Sequence, residues 1–423
     1  MSALASGYVF MFANILIQFA LTPFYLRYLG AQQFGVFMML LSLINFASIG
    51  IGWKSGGLMR ILGECWANNN YKGFRNTYIV GKYLFSLYAV VLVAIVLGGW
   101  WAGYKMEIID EPLSSNIWLA GVYFILLYES ATERLAFIGI NRQATGSQLE
   151  LLRVLVFVLL IWALLPYIQD LVAVWIAMMV ALVMQRIASG IYWSKHVSRT
   201  GWGPCQSEMK PVLKRLAGRQ GAGYASYAAL LLVLQVDTMI VGFLGGPEAA
   251  GQFVLLWKIP ETIGLLLWKI PATVEPRVIA LDSQSKGGLV KLLFSRGRSW
   301  FMLLVVGASV LYLILGQWLA ELWVGDQAPT ERWMYLAGSL ALFFNAIARW
   351  PMSFAFALIR LKPLVRVAGI EAAGKLILTV LLFPHFGIAS PLMAIILIHV
   401  VYVTFAYQRI MMTYPPKTVP REG

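Results

Sequence analysis

Charge, cysteine and histidine are all scarce in this sequence, and each shortage removes a class of protein. Charged residues make up 12% of the chain against 60% hydrophobic ones, and the mean hydropathy is +0.74, which excludes an ordinary soluble domain. Acidic residues are the scarcer sign, 19 against 33 Lys and Arg, for a formal net charge of +14. The basic residues are dispersed in short segments between apolar runs rather than gathered on one amphipathic surface, so no nucleic-acid partner is expected. Only Cys65 and Cys205 are present, which excludes a disulfide framework. The three histidines, His196, His385 and His399, are too scattered for a metal cluster or a nucleophile–His pair, and they read as structural or interfacial. There is no phosphate-binding Gly-rich motif, and no cofactor is expected.

What the chain has instead is apolar length. Windows of about twenty apolar residues, enough to cross ~30 Å of hydrocarbon, predict about twelve helices. They fall near 4–25, 34–53, 79–103, 116–138, 149–167, 171–193, 220–243, 249–272, 299–319, 333–357, 367–384 and 388–410. Residues 1–24 carry no charge and lack a basic leader, so they read as a retained first helix. Alternate connections hold Lys54, Arg60, Lys72 and Arg75, then Arg142, then Lys195 to Arg215, then Arg277 to Arg298, then Arg360, Lys362 and Arg366. The intervening ones carry Glu107, Asp110, Glu111, Asp170, Glu248, Glu321, Asp326 and Glu331. By the positive-inside rule both termini are cytoplasmic, with both cysteines on the reducing side and the longest soluble segments being basic cytoplasmic loops near 54–78 and 194–219.

One stretch breaks the apolar pattern. L-L-W-K-I-P occurs at 255–260 and again at 266–271. At ~100° per residue an eleven-residue offset returns to nearly the same helix face, so Lys258 and Lys269 are expected to stack, each followed by a bending proline. Two cations in register inside a membrane helix suit the path of an anionic solute; the alternative is that they snorkel or pair with Glu261 and Glu275.

An internal repeat is also legible. Y-L-G-A-Q-Q-F-G-V-F at 28–37 is similar to F-L-G-G-P-E-A-A-G-Q-F at 243–253, and R-I-L-G-E-C-W-A-N-N-N-Y-K-G at 60–73 to R-V-I-A-L-D-S-Q-S-K-G-G-L-V at 277–290. Glu150 with Arg153 and Glu371 with Lys375 open corresponding helices, and Glu371 and Lys375, at i and i+4, are expected to satisfy each other. The expected organisation is a six-helix lobe over 1–200, a basic linker over 201–219, a second six-helix lobe over 220–412 and a disordered tail over 413–423.

On P-F-Y-L-R-Y-L-G-A-Q-Q-F-G from Pro23, V-D-T-M-I-V-G-F-L-G-G-P-E-A-A-G-Q-F from Val236 and F-P-H-F-G-I-A-S-P-L-M from Phe383, the chain resembles the O-antigen and exopolysaccharide flippases. These are the polysaccharide-transporter branch of the multidrug/oligosaccharidyl-lipid/polysaccharide (MOP) exporter superfamily. The resemblance implies an all-α, MATE-like polytopic protein of the bacterial inner membrane. It also implies movement of a polyprenyl-pyrophosphate-linked oligosaccharide through a cavity between two lobes, with other polysaccharide-assembly membrane proteins as possible partners. Candidate cations for the pyrophosphate are Lys258, Lys269, Arg349, Arg27 and Lys54, with interfacial anchoring the alternative for Arg27 and Lys54. Acidic residues inside helices suggest coupling to a proton or sodium gradient: Asp237, and Glu129 with Glu133 one turn apart. Pairing of either glutamate with Arg134 or a cation on another helix, and a packing role for Asp237, are the structural alternatives. Two further functions stay open: a cation-coupled multidrug exporter of the same superfamily, disfavoured by the absence of acidic residues in the first two helices, and a membrane polysaccharide-assembly enzyme or scaffold.

Overall fold

The computed structural model describes residues 3–47, 49–105, 115–197, 236–358 and 361–412. The expected linker over 201–219, most of the helix expected over 220–243, and the expected tail lie outside the described residues. Everything described is helical or a short connection: α1 (Ala3–Ala47), α2 (Ile49–Ala67), α3 (Tyr71–Lys105), α4 (Ser115–Gly139), α5 (Gln143–Ile168), α6 (Leu171–Val197), α7 (Asp237–Ser283), α8 (Gly287–Val324), α9 (Arg332–Ala357), α10 (Leu361–Phe386) and α11 (Ser390–Ile398). A π-helical turn, His399–Val403, then leads into α12 (Thr404–Met412). Among the described residues eight helical stretches are long and apolar enough to cross a membrane, and the chain is a multi-pass membrane protein. α4 is outside that set, because Glu129, Glu133 and Arg134 dilute its apolar run.

The expected cytoplasmic loop over 54–78 is instead largely helix. α2 and α3 meet in a turn at Asn68–Asn70, where Asn69 takes a left-handed conformation (φ 54°) and the Asn70 side chain accepts the Gly73 N–H at 2.9 Å. Asparagine tolerates both tasks, so three asparagines reverse the chain without a loop. The hydropathy window missed this because it registers only the membrane-crossing part of a longer helix. The same happens between α7 and α8, where Ser285 (φ 55°) makes the turn.

α1 and α7 are each broken once, at Gly30 (φ 75°, ψ 171°) and Gly246 (φ 84°, ψ 172°). That backbone region is essentially closed to residues with a Cβ. The two breaks lie 216 residues apart, as do the two left-handed turns at Asn69 and Ser285, so the repeat read in the sequence recurs as backbone conformation. The buried pairs Phe37 and Phe253, Leu62 and Val278, and Phe85 and Phe301 keep the same spacing.

The chain divides into two compact units, Met1–Gln33 with Ala47–Gly221 and Phe34–Phe46 with Ala222–Gly423. In the first, Leu58, Leu62, Phe74, Tyr78, Phe85, Phe137 and Trp193 form a core across α2, α3, α4 and α6. In the second, Val241, Phe253 and Leu256 of α7 pack on Ala337 and Ala341 of α9 and on Leu392 and Ile395 of α11. Lipid gives apolar faces no reason to cluster, so close packing of small residues must hold such helices together. The arm 34–46 is fitted this closely: a Cβ on Gly35 would lie 1.7 Å from the Pro247 carbonyl oxygen, and one on Gly242 would lie 2.3 Å from the Met39 sulfur. Pro260 supplies no N–H to the carbonyl of Leu256, four residues back, and the Tyr312 hydroxyl of α8 donates to that oxygen at 3.2 Å. The proline bend is thereby paired rather than left open in a dry interior.

Candidate functional site

The second unit encloses a cavity of about 120 Å3. Trp257, Glu261 and Trp268 reach it from α7 at spacings of four and seven, one helical face. Asn345 and Arg349 reach it from α9, one turn apart, and Asp237 and Lys375 close it from the start of α7 and the middle of α10. Its walls are apolar apart from these few groups, the usual make-up of a ligand pocket.

The charges in this cavity are not equivalent. Lys375 Nζ donates to Asp237 Oδ2 at 2.6 Å, with both side chains nearly inaccessible. Glu261 is met by Lys258 at 3.2 Å. Arg349, 5% exposed, makes no ion pair among the described residues. Its Nη2 donates to the neutral Asn345 Oδ1 at 2.6 Å, its Nη1 lies 3.6 Å from the Met352 sulfur, and its guanidinium sits 4.6 Å from the centroid of the Trp268 ring. A buried guanidinium held by an amide and an indole keeps its full positive charge and its planar donor fork available to an anion.

Lys258 and Lys269 do not act together here. Lys258 is half-buried against Glu261, whereas Lys269 is exposed, and neither lines the cavity. The eleven-residue register instead delivers the residues just before them, Trp257 and Trp268, to the cavity wall. Arg27 is exposed, 5.6 Å from the Tyr28 ring. Lys54 lies outside the residues whose side chains are described.

Glu371 and Lys375 do not satisfy each other, a correction to the i,i+4 expectation. Lys375 turns to Asp237, while Glu371 Oε1 faces His399 Nε2 at 3.3 Å and its Oε2 accepts the Tyr407 hydroxyl at 3.2 Å. Partners on other helices are closer and better directed than one turn along the same helix. His399, read from sequence as a structural or interfacial histidine, is buried in this cluster.

In the first unit, Glu129 and Glu133 share Lys82 of α3, at 3.8 and 3.1 Å, and Glu129 also pairs with Arg186 of α6. Arg134 turns away to Glu150 at 3.3 Å. A groove of about 470 Å3 runs beside this cluster, lined by Arg75, Tyr78, Lys82, Tyr83, Ser86 and Glu129. Sequence reasoning passed over Lys82 and Arg186; their signal was the position of a lone cation well inside an apolar helix.

No protein family matches the sequence, and no curated protein matches it. Solved structures do match its fold. An inward-closed structure of the lipid II flippase MurJ superimposes with a TM-score of 0.69 at 12% identity, over 96% of this chain and 90% of that one. An inward-facing multidrug resistance MATE family transporter of the MOP superfamily gives 0.68 at 11% identity, over 94% of each chain. The Vibrio cholerae MATE transporter VcmN gives 0.59 at 13% identity, over 97% of each. The chain has the MATE-type fold. At these identities the likeness covers architecture and leaves the chemistry to the residues. Among the described residues, the first unit groups Glu129 and Glu133 with Lys82 and Arg186, whereas the cavity of the second holds Arg349 with no ion pair.

Proposed function

We propose that the chain is a flippase that moves a polyprenyl-pyrophosphate-linked oligosaccharide, an O-antigen or exopolysaccharide repeat unit, across the bacterial inner membrane by alternating access. The observation that carries this reading is Arg349, a buried guanidinium without a carboxylate partner among the described residues, stacked on Trp268 in a cavity that also presents Trp257. A diphosphate cannot cross ~30 Å of hydrocarbon bare, and a guanidinium fork matches phosphate oxygens two at a time. Indole faces beside it suit the apolar faces of sugar rings. The cavity has room for a phosphate-sized group, so the glycan and the prenyl chain extend beyond it. MurJ, a flippase of a lipid-linked substrate, shares the fold and gives this reading its architectural precedent. Alternation of two states follows substrate binding only insofar as the substrate binds them differently.

A second reading, a cation-coupled drug exporter, is favoured by the multidrug MATE neighbours and by the two cavity carboxylates. Both carboxylates are already met by lysines, which weakens it.

The test is a deletion strain complemented with wild type or with Arg349→Ala. The expected outcome is completed lipid-linked oligosaccharide held in the cytoplasmic leaflet with surface polymer lost in both the deletion and the variant, and both restored by wild type. Normal lipid-linked pools and normal polymer in the deletion would defeat the flippase reading in favour of drug export. Units that are exported but not polymerised would point to an assembly enzyme.

A further inference from the structure

Behind the cavity the second unit holds a polar cluster that anion binding does not use directly. Ile395 of α11 and Lys375 of α10 line the cavity; four residues on from Ile395, just past the end of α11, is His399, and four residues back along α10 is Glu371. Four residues are about 6 Å of helix, so the pair sits one turn behind the cavity wall. His399 and Glu371 are 2% and 4% exposed, and Tyr407 is equally buried. The chain widens into a π-helical turn at His399, a device common at functional positions and costly where nothing needs it.

Three observations give this cluster a direction. His399 Nε2 faces the carboxylate, so the neutral imidazole donates through Nε2 and leaves its lone pair on Nδ1. Nδ1 is buried and has no hydrogen-bond partner, which leaves it able to accept a proton. Glu371 on α10 and His399 in the π turn belong to two elements that both pack against α9, the helix that carries Arg349. Among the described residues, Tyr407 of α12 donates to the same carboxylate, Tyr402 of the π turn packs against the buried cluster that holds Tyr407, and the Lys375–Asp237 couple lies one turn along α10 on the cavity side.

We propose that His399 with Glu371 is a proton-binding site linked to the anion affinity of the cavity. The step is a simple addition: a proton binds the Nδ1 lone pair, the imidazole becomes imidazolium, and no other bond is made or broken. With His399 neutral, the Glu371 carboxylate offsets part of the Arg349 charge. With His399 protonated, the imidazolium meets that carboxylate and the Arg349 charge is left for the anion. Proton uptake therefore strengthens anion binding, and by reciprocity anion binding draws a proton in. This rests on the reading of Arg349 as the anion site and assigns the coupling ion to it.

The experiment is calorimetric titration of the purified full chain in detergent with farnesyl pyrophosphate, at pH 5.5, 6.5 and 7.5. It is run on wild type, His399→Gln and Arg349→Ala, each in two buffers of different ionisation heat. Wild type is expected to bind about tenfold more tightly at the lowest pH than His399→Gln does, a mid-range linkage, with the two converging at the highest pH. The buffer pair should show net proton uptake by wild type, beyond that of the ligand, and this measurement stands even if the variant fails to fold. Equal pH slopes for wild type and His399→Gln, or no uptake by wild type, would overturn the proton site while binding abolished by Arg349→Ala would leave the anion site intact. Absence of binding by wild type at every pH would overturn both.

Discussion

The α4 turn of the first unit at Glu133 and the α9 turn of the second at Arg349 occupy equivalent places in a duplicated frame and present side chains of opposite charge. Glu129 and Asn345 are 216 residues apart, as are Glu133 and Arg349, the spacing that also relates the glycine breaks and the left-handed turns. In the first unit both carboxylates are met by cations from neighbouring helices, Lys82 and Arg186. In the second, the corresponding turn of helix presents one guanidinium whose hydrogen-bond partners among the described residues are an amide and a thioether. Duplication preserved the backbone because left-handed turns, glycine breaks and close helix packing permit few substitutions. Side chains inside the frame were free to change sign.

The comparison breaks most sharply at Arg349. Arg349→Ala should lower transport on the order of 100-fold, since truncating a buried hydrogen-bonded charge at a binding site costs ~2–5 kcal/mol. Glu133→Gln, at the equivalent place in the first unit, should leave transport within a few fold; comparable losses in a vesicle flipping assay would erase the difference between the units. Lys258→Ala should fall between them, because it acts only through Glu261.

Stability sharpens the same contrast. Lys375→Ala leaves Asp237 buried without its cation and should cost ~3–5 kcal/mol, whereas the double variant Lys375→Ala/Asp237→Ala should recover most of it. Glu133→Gln should cost only about 1 kcal/mol, because its partner Lys82 is 29% exposed and keeps Glu129. Thermal unfolding in detergent reads both, and a double variant no better than the single one would show that the Asp237–Lys375 pair is not the element lost.

The smallest effects test the frame itself. Gly30→Ala and Gly246→Ala should each destabilise by ~1–3 kcal/mol, and by similar amounts, because the two glycines hold the same forbidden backbone conformation. Tyr312→Phe should cost about 1–3 kcal/mol by orphaning the Leu256 carbonyl that Pro260 cannot serve. An unchanged melting temperature in any of these variants would remove the structural role assigned to that residue.

The sequence by itself determined the class. Apolar runs of membrane length, the repeat around Gly30 and Gly246, and Arg349 deep in an apolar helix were all legible, because hydropathy, backbone strain and the cost of buried charge are properties of short segments. Helix ends were less so: Asn68–Asn70 look like a loop until the Asn70 cap and the left-handed Asn69 show that helix resumes at once. Only the tertiary structure decided the partners. That Lys375 faces Asp237 instead of Glu371, that Lys258 is spent on Glu261 while Arg349 is not spent on a carboxylate, and that His399 reaches Glu371 all depend on which helix faces which. Periodicity assigns a side chain to a face of its own helix; the neighbour on that face comes from packing between segments far apart in the chain.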